Sequence, residues 1–471
     1  ARANGEAFTD EQEARLDEMG FSVYTKSATR DVADWERTRK TKENDGVGTG
    51  YDKSMLTDEL RGLLEDGYTF PEVQRQPTRY DLERVTGTPF HWVAEFPEVA
   101  EKRGSTHSIN FDIVLGNPPY GDLLSDEEKV FVSTYETSDV RDISANFVER
   151  QLQLLEEDGY FGNVTTQRLV YQSSLQQFHS LLRDTIQKTK IACFGTRPSR
   201  IFENADIKVA IISGDKGDQN GEIHTSDAII FTEENRREKF EQIEYENTDG
   251  FVLREKIGGE SGNREILPKI GSSTKKSILK KLRSHSGDLL SERYERDLNE
   301  SHQHPVWRRE GLRYWVNVMR EELYSAREVK PMYFKSELER DMAFLLLNSS
   351  LFYTYWLTYG NFHHLNWAQI KAFPFPGQDD IEENEAEIQD LASEIWSRMK
   401  QQFNSELGVS GEFHMQPVKP LIDEVDELLA DFYGLTDEEL AFVQTYLADP
   451  DGEYGRVGPQ NHQLDELDAD D

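Results

Sequence analysis

From Phe90 onward the chain alternates short apolar runs with amphipathic stretches, the pattern of an α/β domain built on a largely parallel sheet. The spacing predicts a strand over 111–115 and a helix over 146–155, with Phe147, Val148, Gln151, Leu152 and Leu155 at helical intervals and Gly159 as its stop. A strand over 160–164, a helix over 175–183 and strands over 191–194 and 209–212 follow, the last after a loop carrying Arg200-Ile201-Phe202. Upstream, residues 1–88 read as polar and helical, with Thr9 and Gln12 spaced as a capping box and a second helix over 57–66. Downstream, the Gly-, Asp- and Asn-rich stretch 215–221 reads as a domain boundary. A second module runs to Pro376 and contains an apolar helix over 342–356 that Asn348 and Ser349 interrupt. An acidic helical tail then includes 422–429 and a Tyr433-Gly434-Leu435-Thr436 turn, ending in a disordered 465–471. Four segments result: 1–88, 89–215, 216–376 and 377–471.

Charge complicates this picture. Eighty-nine acidic against 53 basic residues give a net charge of -36, which by itself argues against a partner as anionic as DNA, because duplex affinity comes from cations displacing counterions. Spread along the whole chain, the charge instead fits a protein that stays soluble in concentrated salt, where the Debye length falls to about 3 Å at 1 M. A halophilic source is the expectation. Cys193 is the single cysteine, which excludes an internal disulfide or cysteine-based zinc site and points to the cytoplasm. The sequence offers neither a long apolar span nor an export signal, so no membrane is expected. It opens Ala1-Arg2-Ala3, which reads as a fragment or a processed product.

Two basic stretches stand out against the acidic background. One holds Arg264, Lys269, Lys275, Lys276, Lys280, Lys281 and Arg283; the other interleaves Trp307, Arg308, Arg309, Arg313, Tyr314, Trp315 and Arg320. Cations mixed with aromatic rings are what a phosphate-contacting surface requires, so Lys275, Lys276, Lys280, Lys281, Trp307, Arg308, Arg309 and Arg313 are the expected DNA contacts. The alternative for each is a solvated face.

The chemistry concentrates in Asn117-Pro118-Pro119-Tyr120, directly after the strand over 111–115. An exocyclic adenine amine is a poor nucleophile because its lone pair is delocalised into the ring. Acceptors aimed at its two N–H groups localise that pair, and the Asn117 side-chain oxygen with the Pro118 carbonyl can supply both. The prolines hold the loop stiff and present a carbonyl without a competing N–H. The Tyr120 ring can lie against a base rotated out of the duplex. The position also fits, since ligands in open α/β sheets bind beyond the carboxyl ends of strands. The alternative is a rigid turn leaving a strand.

Other motifs yield less. Asp45-Gly46-Val47-Gly48-Thr49-Gly50 follows a charged stretch rather than an apolar strand and reads as a flexible loop. His302, His304, His363 and His364 lack supporting ligands, so no metal is expected. Glu328-Val329-Lys330 is half of a nuclease motif, and no cleavage is assigned to it.

The run Phe90-His91-Trp92 through Glu95-Phe96-Pro97-Glu98-Val99, followed by Asn-Pro-Pro-Tyr and then Gly159-Tyr160-Phe161-Gly162-Asn163-Val164, resembles the γ-class adenine-N6 DNA methyltransferases. The likeness is to the methylase and target-recognition part of type IIG restriction-modification enzymes and related phage-defence methylases. Leu267-Pro268-Lys269-Ile270-Gly271, Tyr333-Phe334-Lys335-Ser336 and Phe373-Pro374-Phe375-Pro376 resemble their recognition domains. The resemblance implies a partial Rossmann-like methyltransferase domain using S-adenosylmethionine, then an α+β target-recognition domain and a helical tail. It also implies double-stranded DNA as partner, with Phe202 stacking on the base face opposite Tyr120. The sequence departs from the family in lacking a strand and glycine turn for the cofactor. Such a motif is expected on an upstream segment or a second polypeptide, leaving only Asn117 and Pro118 as cofactor neighbours; a non-catalytic DNA-binding remnant is the alternative.

Overall fold

The computed structural model describes residues 101–103, 106–108, 110–125, 129–172, 175–196, 198–202, 207–217, 221–256, 263–312, 315–324, 326–404 and 412–447. The expectations for 1–88, the glycine cluster over 45–50, Phe90 to Val99, Arg313, Tyr314 and 465–471 lie outside them. The described residues fall into two units. The first holds those up to Thr165 with Gln177–Lys188 and Ser213–Gly221; the second holds Thr166–Gln176, Thr189–Ile212 and those from Glu222 onward.

The strands begin with a hairpin of β1 (Glu101–Arg103) and β2 (Thr106–Ser108). A six-stranded sheet follows, of β3 (Phe111–Gly116), β4 (Leu155–Thr166), β5 (Ile186–Phe194), β6 (Val209–Lys216), β7 (Glu222–Ile229) and β8 (Glu246–Asn247), in the order β3-β4-β6-β5-β7-β8. β3 and β4 run parallel and β7 and β8 antiparallel, so the sheet is mixed rather than largely parallel; apolar runs reveal buried strands but not their direction. The sheet also continues past Asp215. The Gly- and Asn-rich stretch joins two of its strands instead of ending it.

In the first unit, helix α1 (Ile143–Gln153) starts earlier than its apolar pattern suggests because Asp142 caps it, accepting the Ser144 N–H. Its core side is Ala145, Val148 and Leu152, whereas Phe147 faces outward at 43% exposure. Gly159 does not stop this helix. It lies inside β4, after Asp158 at φ 64, where the pairing with β3 jumps from Phe111–Leu155 to Ile113–Tyr160. A Cβ on Gly159 would sit 2.9 Å from the Glu156 carbonyl oxygen, so glycine lets the bulged segment fold back on itself. Helix α2 (Gln176–Thr185) buries Phe178, Leu181 and Leu182, as its spacing predicts.

The second unit contains a hairpin of β9 (Leu253–Lys256) and β10 (Asn263–Ile266) and an antiparallel sheet of β11 (His304–Arg309), β12 (Val318–Met319) and β13 (Val329–Phe334), in the order β12-β11-β13. Its helices of eight or more residues are α3 (Ser273–Ser284), α4 (Glu337–Asn348), α5 (Ser350–Tyr359), α6 (Glu385–Gln401), α7 (Lys419–Tyr433) and α8 (Asp437–Gln444). The apolar stretch over 342–356 is two helices. Ser349 ends α4 and caps α5, its hydroxyl accepting the Phe352 N–H at 3.0 Å, while the buried Asn348 carboxamide bonds both Val318 N and O. Every residue of α5 is buried. The acidic stretch after Pro376 is no loose tail. Trp396, Ile422 and Leu429 share one core with Phe344 and Leu345, and buried Asp426 accepts the Ser350 N–H at the start of α5 at 2.9 Å. The expected turn is present, with Gly434 at φ 63 and Thr436 paired with Glu439 in a capping box.

Candidate active site

β3 ends at Gly116, where an added Cβ would lie 2.4 Å from Gln151 Nε2 and 2.7 Å from Asn163 Oδ1. Glycine lets the strand end pass this close to the Gln151 and Asn163 side chains, whose ends an added Cβ would displace. Beyond it Asn117 and Pro119 are exposed, Pro118 is buried and Tyr120 is half-buried. The Tyr120 hydroxyl donates to the Asn117 side-chain oxygen and lies 3.4 Å from the Val164 carbonyl oxygen. This bond orients the Asn117 carboxamide. Burial, and then the Asp142 carboxylate, push the Tyr120 phenol above 10.0, so it keeps its proton and remains a donor. Gly121 then turns at φ 93.

Phe202 is half-buried and belongs to the second unit, in the loop between β5 and β6; the Arg236 guanidinium donates to the neighbouring Ile201 carbonyl at 3.3 Å.

The expected DNA-contacting cations divide sharply. Lys275 is fully buried, its Nζ 2.6 Å from Asp227 Oδ1 and 2.8 Å from the Tyr446 hydroxyl. Arg308 is also fully buried, donating to the Leu365 carbonyl at 2.9 Å, pairing with Glu310 at 3.2 Å and lying 3.9 Å above the Trp367 ring. Both corrections have a periodic cause. Lys275 shares the α3 stripe of Ile278, Leu279 and Leu282, and Arg308 alternates inward on β11 with Val306. These two hold the second unit together and face no phosphate. Lys276 pairs with Glu246 at 2.9 Å and Lys281 with Glu439; Trp307 packs partly onto the core, Arg309 is half-buried and Lys280 is exposed.

Lys269, from the same stretch, is buried with its Nζ 2.7 Å from the Gly360 carbonyl oxygen. Burial pushes its ammonium down from 10.5 to about 8, with Lys275 adding to the shift and Cys193 and Asp227 opposing it. Between those two values the unfolded chain holds the proton and the folded chain does not, so stability rises with pH across the window. Denaturant titrations at pH 7.5 and 9.5 are expected to show a gain in the native protein that Lys269→Met reduces. Lys275, also lowered by burial, contributes with the same sign.

Among the described residues no group of three or more His, Cys, Asp or Glu is arranged to hold a metal. His302 is bound into an Asn299–Ser301 turn, and the rings of His363 and His364 contact each other at 4.4 Å. The feature that motif reading missed is Asp142, buried behind the Asn117 loop; its signal was its place directly before an amphipathic helix.

Residues 34–202 match the model of the Eco57I restriction-modification methylase family. The RM.MjaORFECS2P protein of Methanocaldococcus jannaschii, whose name places it with type II restriction enzymes and methyltransferases, is 28% identical over 213 residues. That alignment takes in 45% of this chain but only 16% of the relative, so this chain spans a small part of that protein's length. Among solved structures, the type IIL restriction-modification enzyme MmeI in complex with DNA is 13% identical at a TM-score of 0.40, covering 92% of this chain and 75% of MmeI. The type IIG restriction endonuclease BpuSI is 12% identical at a TM-score of 0.27, covering 75% and 55%. Among the described residues no helix is long and apolar enough to cross a membrane.

Proposed function

We propose that this Eco57I-family chain carries the base-holding part of a site-specific, adenine-N6 DNA methyltransferase of a restriction-modification or phage-defence system. The observation that carries the reading is the Asn117 side-chain oxygen held by the Tyr120 hydroxyl at the carboxyl end of β3, beside the Pro118 carbonyl. A flipped adenine would present its amine to those two acceptors, and the Asn117 oxygen has a second lone pair for the substrate N–H. Tyr120 would stack on one face of the base. The six-stranded sheet that carries Asn117 to Tyr120 would form this catalytic core, Rossmann-like in part, and the described residues after β8 the target-recognition part, with Lys276, Lys280, Lys281, Trp307 and Arg309 nearest the DNA.

S-adenosylmethionine is the methyl donor that this chemistry needs, and it supplies an electrophilic methyl group. The acceptor groups fit it, but no glycine turn after an apolar strand is found among the described residues, so no donor-binding residue is assigned and the donor site is proposed to lie on another segment or polypeptide. Exposed apolar side chains on β3 and its neighbour support such an addition, with Leu115 at 76%, Ile113 at 61% and Tyr160 at 60% exposure on the outermost strand pair of the sheet.

The test is transfer of a labelled methyl group from S-adenosylmethionine to duplex DNA by the full-length protein, together with any polypeptide that supplies the donor site, in molar salt. Transfer is expected. DNA binding without transfer would put a non-catalytic recognition subunit in its place.

A further inference from the structure

Resting on the proposed base-holding role, the geometry points to Asp142 as the positioning residue of the acceptor loop, acting through Gly121 on Asn117 and Tyr120. Asp142 is 2% exposed. One of its oxygens, Oδ1, accepts the Gly121 N–H at 3.2 Å, the Ser144 N–H at 3.1 Å and the Ser144 hydroxyl at 2.6 Å. The Gly121 carbonyl in turn accepts the Ile143 N–H at 2.9 Å, so the residue following Tyr120 is gripped on both of its backbone polar groups.

The grip continues to β4. The buried Thr165 hydroxyl lies 3.0 Å from the Ser144 hydroxyl, and the preceding residue, Val164, offers the carbonyl near Tyr120. Tyr120 and Gly121 are therefore braced against adjacent residues of one strand, one directly and the other through Asp142 and Ser144. The same helix repeats the device farther along. Buried Glu149 accepts the Glu136 N–H at 3.0 Å, the Thr137 N–H at 2.9 Å and the Thr137 hydroxyl at 2.7 Å, while Asn146 donates to the Thr137 carbonyl at 2.9 Å. Burying carboxylates costs free energy unless their lone pairs are met. Here those bonds go to loop backbone, which a helix packed only for stability would not need.

A mere helix cap predicts a different outcome. Losing an N-cap costs about 1 kcal/mol of stability and leaves the chemistry alone. Displacement of a reacting group by about 1 Å costs on the order of 100-fold in rate. Asp142→Ala is therefore expected to lower kcat about 100-fold with KM for DNA nearly unchanged, at a temperature where the variant is folded. Asp142→Asn keeps an acceptor oxygen and should stay within about threefold of the native rate. Amide hydrogen exchange over 117–121 should quicken at least about tenfold in the alanine variant and be restored by asparagine. Because exchange needs no methyl donor, it judges the brace even if the native protein transfers nothing, an outcome that would sink only the base-holding role. Native kcat in Asp142→Ala, or unchanged exchange at the loop, would overturn the assignment. Should Asp142→Ala fail to fold, Thr165→Val removes only the outer strut: faster loop exchange with a lowered kcat supports the brace, and native values for both contradict it.

Discussion

Asn117→Ala is expected to lower methyl transfer to DNA by about 100- to 1,000-fold, the usual cost of removing one preorganised group that meets charge developing in a transition state. Duplex affinity should stay close to native, because Asn117 lies at a strand end and contributes no cation. The exposed side chain is not part of any core, so thermal stability should change by less than about 0.5 kcal/mol. Tyr120→Phe isolates the orienting hydroxyl while keeping the stacking ring. A loss of about tenfold is expected there, the equivalent of one hydrogen bond. Rates measured with saturating donor and DNA check both. A native rate in Asn117→Ala would remove the carboxamide from the chemistry.

The second large effect is on stability and comes from a residue that reads as a DNA contact. Lys275→Ala removes a fully buried side chain and its ion pair from the second unit and is expected to cost about 3 kcal/mol, chiefly through the cavity left behind, since the 27%-exposed Asp227 keeps the Tyr446 hydroxyl as a partner. Equilibrium unfolding by denaturant measures it. Lys280→Ala, one turn and a residue farther along α3 and exposed, should leave stability within about 0.5 kcal/mol and lower the salt slope of DNA binding by about one phosphate contact. Equal stability losses in both variants would contradict the division between internal and outward-facing cations.

These two residues also mark how far the sequence could be read. The strand over 111–115, its loop, the two helices around it and the Gly434 turn were legible because apolar period and turn chemistry act locally. Lys275 sits in a charge cluster, but its helical period decides its place: it stands three and four residues ahead of Ile278 and Leu279, on the stripe that α3 buries. The acidity after Pro376 likewise described a surface and concealed the core face of Trp396, Ile422 and Leu429. Gly159 looked like a helix stop because the bulge in β4 depends on which residue of β3 it pairs with, and pairing is a tertiary fact. In the candidate site, Asn117 to Tyr120 were visible as a motif, whereas the grip of Asp142 on Gly121 joins residues 21 apart and appears only once α1 and the loop are folded together.

The role proposed for Asn117 and Pro118 is to hold the exocyclic amine of an adenine. It is tested most directly by incubating DNA with the full-length protein and isotopically methyl-labelled S-adenosylmethionine in molar salt, then digesting the DNA to nucleosides and identifying the labelled species by mass. The account predicts label in N6-methyldeoxyadenosine, lost in Asn117→Ala. Label in a methylated cytosine, or undiminished N6-methyldeoxyadenosine from Asn117→Ala, would contradict it.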